Sequence, residues 1–219
     1  MAPTYKEKLF GMAAAFAAIL ASPAFAERIL VPAGGADLQV VIEAASAGDV
    51  IVLEPGQHRG PIRIDKSLTI EGVPGAVLQG NGRGSVVMVE APDSVVRKLE
   101  IRGSGMDLEA MDAGVFVTKT AGRTVVEDNA IIDNLYGIYL HGAVDSLARR
   151  NRISGQREGR MNEAGNGVSV WNAPGARVMD NDISFGRDGV FIIASKHNVF
   201  SGNRFSHVRF AIHYMYTDD

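Results

Sequence analysis

The chain repeats itself about every 22 residues, a period that few folds accept. Val126-Glu127-Asp128-Asn129-Ala130-Ile131 aligns with Val178-Met179-Asp180-Asn181-Asp182-Ile183, and both align with the segments around Asn151 and Asn203. The shared core is Asn-x-(Ile/Phe), with its asparagines 22, 30 and 22 residues apart. Each repeat carries a second apolar run opened by a small residue: Gly137-Ile138-Tyr139-Leu140, Gly167-Val168-Ser169-Val170, Gly189-Val190-Phe191-Ile192 and Ala211-Ile212-His213-Tyr214. Asparagine and small residue lie 8 apart in three repeats and 16 apart in the repeat of Asn151, so that repeat has 8 residues added in one loop. Short Val/Ile-rich strands between Gly/Asn/Asp turns cannot bury a face alone, but stacked about 4.8 Å apart they bury a continuous core. The period therefore predicts an all-β, right-handed single-stranded parallel β-helix with two or three strands per turn. A leucine-rich horseshoe has a similar period, but its L-x-x-L-x-L consensus is absent. The four asparagines are expected to face inward at a corner and bond along the stack.

Upstream the pattern loosens. Leu99-Glu100-Ile101 with Gly114-Val115-Phe116-Val117 reads as an earlier turn, and Leu68-Thr69-Ile70 with Val86-Val87-Met88-Val89 as one earlier still. From Asp37 to Ala45 the apolar residues fall at helical spacing, predicting a short helix capped by Asp37 over the N-terminal end of the coil. At the other end an apolar strand runs to Asp219 with no polar capping segment, so the sequence reads as the N-terminal part of a longer solenoid whose C-terminal turns are missing. Residues 1–26 differ from the rest. Lys6 and Lys8 precede an apolar run from Leu9 to Ala21, and Ala24-Phe25-Ala26 supplies an A-x-A cleavage pattern. This predicts a cleavable secretory signal, with residues 27–219 as an exported, periplasmic β-helix domain. The absence of cysteine excludes disulfides, thiolate nucleophiles, iron–sulfur clusters and Cys-ligated zinc. A net charge of −3 without any basic run argues against a nucleic-acid partner.

Alternation along the second strands sends Ile138, Leu140, Val168, Val170, Val190, Ile192, Ile212 and Tyr214 inward. The residues between form two outward columns: Phe116, Tyr139, Ser169, Phe191, His213 and Thr118, His141, Trp171, Ile193, Met215. A solvated face would carry Lys, Glu, Thr and Ser. Aromatic residues, the single Trp, His and Met point to a docking or ligand face, with Phe116, Tyr139, His141, Trp171, Phe191 and Ile193 as candidate partner surface. A register shift of one residue would exchange inward and outward sets. Two longer loops, Gly103 to Ala113 and Gly155 to Asn166, fall at the same corner two turns apart and carry Met106, Met111 and Met161 among polar neighbours. Exposed thioethers are soft-metal donors, most naturally for Cu(I); the alternative is that they fold back as filler over the wall. His213 and Met215 stand two apart on one face, where both side chains can turn toward one ion. His58 is expected in a Pro/Gly-rich turn, and His197 and His207 in corners that predict solvation.

The closing run Arg209-Phe210-Ala211-Ile212-His213-Tyr214-Met215-Tyr216-Thr217-Asp218-Asp219 resembles a signature segment of the NosD family, periplasmic β-helix accessory proteins of nitrous oxide reductase maturation. The opening Gly48-Asp49-Val50-Ile51-Val52-Leu53-Glu54-Pro55-Gly56, then Ile64-Asp65-Lys66-Ser67-Leu68-Thr69-Ile70, also fits, although many carbohydrate-active β-helices begin similarly. The resemblance spans residues 30–219 and only the N-terminal half of the family's length. It implies a non-enzymatic metallochaperone or scaffold of an ABC-type complex with an ATPase and a membrane permease. It further implies receipt of copper, as Cu(I), from a lipoprotein chaperone and its delivery to nitrous oxide reductase. Carrying copper onto His213, Met215, Met161, Met111 or Met106 rests on donor chemistry: without cysteine, Cu(I) has only thioether and imidazole to bind.

Two alternatives share the fold. A polysaccharide lyase or glycoside hydrolase would draw on Asp180, Asp182, Asp188, Asp218 and Asp219, and hydrolysis requires two carboxylates about 5–9.5 Å apart across one bond. A sugar-binding module would use the aromatic column as a stacking platform.

Overall fold

Each turn of the coil holds three short strands, because the corners between them recur at fixed positions. The computed structural model describes residues 26–157, 160–161 and 163–216. Asp128, Arg150, Asp180 and Gly202 each adopt positive φ, and each immediately precedes a repeat asparagine. That left-handed residue turns the chain sharply from one strand to the next. Strands of successive turns pair in parallel, giving three sheets: eight strands from Arg28–Val31 to Val199–Ser201, seven from Gly56–Arg59 to Arg204–Ser206, and seven from Ile62–Ile64 to Phe210–Met215. The parallel β-helix read from the period is the observed fold, with three strands per turn.

The sheets enclose one continuous apolar core. Ile138, Val168 and Val190 stack in register, as do Leu140, Val170 and Ile192, all fully buried. The register of the third sheet is the one the alternation dictates. Tyr214 occupies the inward column but is 55% exposed, because no described strand stacks beyond it.

The asparagines form the expected ladder. Asn129 donates to Asn151 Oδ1 at 3.0 Å, Asn151 to Asn181 at 3.0 Å and Asn181 to Asn203 at 2.9 Å. Each Oδ1 also accepts the backbone N–H of the preceding asparagine. Each amide nitrogen also donates to a strand carbonyl, as Asn181 does to Ala148. The ladder thus satisfies corner groups that the sheets cannot reach.

The small residues that open the third-sheet strands have a steric reason. A methyl at Gly114 would lie 2.6 Å from Ile131 Cγ2 and 3.0 Å from the Gly137 carbonyl. At Gly167 it would overlap Ile183 Cγ2 and sit 2.8 Å from the Gly189 carbonyl. Only a residue without Cβ lets the chain pass so close to the next turn.

The predicted helix forms at Leu38–Ala44, with Asp37 accepting from the Gln39 N–H at 2.9 Å. It buries Leu38 and Ile42, and Lys66 donates to the carbonyls of Ile42, Glu43 and Ala45 at its other end. The outer face of the first sheet carries opposite charges in register: Arg97 beside Glu71, then Arg149 beside Glu127. The expected secretory signal lies, but for Ala26, outside the described residues, as do Asp218 and Asp219. No helix among the described residues is long and apolar enough to cross a membrane.

Candidate functional site

The outer face of the third sheet gathers the chemistry-bearing side chains. Parallel pairing sets Phe116 beside Tyr139, Tyr139 beside Ser169, Ser169 beside Phe191 and Phe191 beside His213. The second column runs His141, Trp171, Ile193, Met215. Both columns stand outside the coil, as the alternation requires.

Stacking buries much of this wall. Phe116 and Tyr139 lie nearly parallel with centroids 5.3 Å apart, and the His141 ring meets Phe116 edge-on at 5.6 Å. Phe116, expected as accessible partner surface, is only 7% exposed beneath these neighbours. Ser169 is buried too, its hydroxyl accepting from Asn166 at 3.1 Å. Trp171 stays at the surface, 38% exposed, with its centroid 4.3 Å from that of His141. Burial pushes the Tyr139 phenol up to about 12, with Tyr136 adding to the effect. Burial also holds His141 below the usual imidazole value, helped by the Lys119 charge, so its ring is neutral at pH 7.

Higher on the same wall is a cavity of about 180 Å³, lined by Tyr136, Asn166, Asp188, Arg209, His213 and Met215 among others. Asp188 anchors it. Its side chain is 1% exposed and accepts two bonds from Arg209, Nε to Oδ1 at 2.9 Å and a terminal nitrogen to Oδ2 at 2.7 Å. His213 Nδ1 lies 3.0 Å from Oδ2. Burial alone would raise the Asp188 carboxyl, but the bonds from Arg209 and His213 outweigh it and hold the group below the ordinary range. An ionised carboxylate only accepts, so His213 Nδ1 carries the proton between them. The Arg209 nitrogen 3.3 Å from Nδ1 is then a close approach of two donors rather than a bond. Phe191 and Phe210 flank the imidazole at 5.1 and 5.2 Å.

His213 and Met215, paired in the sequence as donors to one ion, therefore line one cavity. The two methionine-bearing loops also meet: Gln156 donates to the Met106 sulfur at 2.9 Å. Met106 and Met161 are each 52% exposed, so neither acts as core filler. Met111 is half-buried at positive φ. Ala164, from the loop of Met161, borders the His213 cavity. No hydrogen bond joins the loop methionines to His213 or Met215 among the described residues. His197 and His207 are exposed, as their corners predict, while His58 is buried in the strand Gly56–Arg59, bonded through Nε2 to the Glu54 carbonyl. Among the described residues no three His, Cys, Asp or Glu side chains converge as a metal cage. The sequence reading missed the pairing of Asp188 with Arg209 and His213. Its only signal was that the three lie 21 and 25 residues apart, about one turn.

Comparison with known proteins places this site in context. The family model described as NosD, periplasmic copper-binding protein, matches residues 149–219, a span that includes the whole His213 cavity except Tyr136. A protein of Stutzerimonas stutzeri named probable ABC transporter binding protein NosD is 33% identical over 137 residues, covering 63% of this chain and 31% of that protein. A protein of the same name from Pseudomonas aeruginosa is also 33% identical over 137 residues, covering 63% and 32%. The match thus spans about a third of these relatives' length. Among solved structures, a putative glycosyl hydrolase from Parabacteroides merdae superposes with a TM-score of 0.63 at 11% identity, over 82% of this chain and 96% of that one. The pectate lyase Pel9A gives 0.62 at 15% identity, over 80% and 55%. At such identities these likenesses concern the fold alone.

Proposed function

We propose that this chain, similar to NosD proteins over part of its length, is a non-enzymatic carrier of Cu(I) in the periplasm, working with an ABC-type ATPase and permease. In this reading copper is cargo: it arrives from a lipoprotein chaperone and leaves for nitrous oxide reductase. The observation that carries the reading is the cavity on the outer wall that His213 and Met215 both line. One imidazole and one thioether form a soft, sparse donor set of the kind Cu(I) accepts, and among the described residues no hard oxygen cage competes. The site is also shallow. His213 keeps a side chain 28% exposed, which suits a donor that must hand its ion on. Met106 and Met161, exposed on their loops, and the half-buried Met111 serve in this reading as entry or exit donors.

Hydrolysis has weaker support from the same cavity. It is lined by one carboxylate, Asp188, which is buried and held in two bonds by Arg209, whereas glycoside hydrolysis uses two. The relatives are named as binding proteins. Anaerobic equilibrium dialysis tests the proposal: Cu(I) uptake at or below one ion per chain is expected, falling sharply in a His213→Ala, Met215→Ala double variant. No uptake by the unsubstituted protein would refute it.

A further inference from the structure

The geometry points to Asp188 as a positioning residue that fixes His213 with Nε2 as its metal-binding nitrogen. The inference rests on the copper reading above and adds which atom binds and what aims it. Imidazole offers two nitrogens, and the one that binds a metal must lose its proton while the other keeps it. Here Nδ1 is committed. It faces Asp188 Oδ2 at 3.0 Å, and Asp188 is 1% exposed with both oxygens already accepting from Arg209. Nε2 has no hydrogen-bond partner among the described residues. A carboxylate behind a ligating histidine fixes the tautomer, orients the ring and makes the free nitrogen more basic.

Asp188 itself is largely committed, with three of its four lone-pair sites taken and its side chain 1% exposed. Oδ1 accepts Arg209 Nε, and Oδ2 accepts both Arg209 and His213. Its backbone is tied as well, since the Asp188 N–H donates to Asn166 Oδ1 at 3.3 Å. Arg209 closes the arrangement. A guanidinium beside a cation site would repel the ion, but its two-point pairing with Asp188 neutralises that charge locally. The three residues come from consecutive turns of the coil: Asp188 from the strand Asp188–Ile193, Arg209 and His213 from the next turn up. The stacking of turns therefore sets the dyad, and the rigid third sheet holds it.

Two measurements test this and separate it from the copper reading. The first needs no metal and no substitution. Long-range ¹H–¹⁵N correlation of the histidine rings at about pH 8, where an ordinary imidazole is neutral, should show His213 protonated at Nδ1. A predominant Nε2–H form at His213 would overturn the inference. The second is competition of the protein against a chromophoric Cu(I) chelator. In Asp188→Asn, Arg209 takes the amide oxygen and turns the amide NH2 toward Nδ1, forcing the proton to Nε2. Cu(I) affinity should fall about 10–100-fold while circular dichroism stays that of the unsubstituted protein. His213→Ala should fall at least as far. If the unsubstituted protein binds Cu(I) and loses it in His213→Ala but not in a folded Asp188→Asn, the role of Asp188 is disproved and the carrier survives. If the protein takes no Cu(I), the carrier fails, and the ring spectra still decide the dyad. Should Asp188→Asn not fold, the ring spectra of the unsubstituted protein decide the role of Asp188 by themselves.

Discussion

At the scale of single residues, a few buried polar groups do work that the strands cannot. Asn181 is 1% exposed, and its side chain and backbone N–H take part in five hydrogen bonds across three turns. Replacing it with Ala strands the Asn151 backbone N–H and the Ala148 carbonyl in the core. A loss of about 1–3 kcal/mol in unfolding free energy is expected, read by urea denaturation with the slope unchanged. No change would mean the ladder contributes nothing net. These asparagines were legible because their role repeats with the period. Asp188 was only half legible: the sequence marked it as a carboxylate of possible catalytic use, and the structure ties it to Arg209 and His213. Which side chains meet across turns depends on how the corners stagger the coil, and no single strand encodes that.

At the scale of elements, close stacking imposes the glycine column. Gly167→Ala would push a methyl against Ile183 and the next turn's backbone. Overpacking of this kind costs about 1–3 kcal/mol, so thermal unfolding should shift down clearly. Ala211 holds the same register position on the last described strand of this sheet, above which no described turn stacks. An unchanged midpoint in Gly167→Ala would show that the neighbouring turn yields easily. The helix cap is a milder case: Asp37→Ala removes the bond to Gln39 and should lower stability by about 0.5–2 kcal/mol in the same assay. The alternation of the third sheet told inside from outside correctly, because its inward set is uniformly aliphatic. It did not tell exposed from covered. Phe116 faces outward and is still buried, since large rings on adjacent strands about 4.8 Å apart cover one another.

At the scale of the whole molecule, acidic groups on the coil's surface make stability depend on pH. Glu71 is raised by burial but held lower overall by Arg97 and Lys98. Asp128 is lowered by Arg150, and Asp188 by Arg209 and His213 against its burial. Carboxyls depressed in the folded state stabilise it fully above their unfolded values of about 4, and that gain is lost as pH falls through the lower folded values. The urea midpoint should therefore fall modestly between about pH 7 and about pH 5, where the unfolded His141 takes a proton that the folded ring resists, and drop further below about pH 4. A midpoint that rises on acidification would contradict these pairings. The fold as a whole was legible in the 22-residue period, whereas the copper reading is a proposal that rests on the NosD likeness and on the donors that the period sets on one wall. That reading stands or falls on what surrounds the ion. Because the chain has no cysteine, any sulfur bound to copper must be methionine. X-ray absorption at the copper edge of the Cu(I)-loaded protein should show sulfur and imidazole nitrogen together in the first shell, with the nitrogen signal lost in His213→Ala. A shell of nitrogen and oxygen alone, or a spectrum that His213→Ala and Met215→Ala leave unchanged, would contradict it.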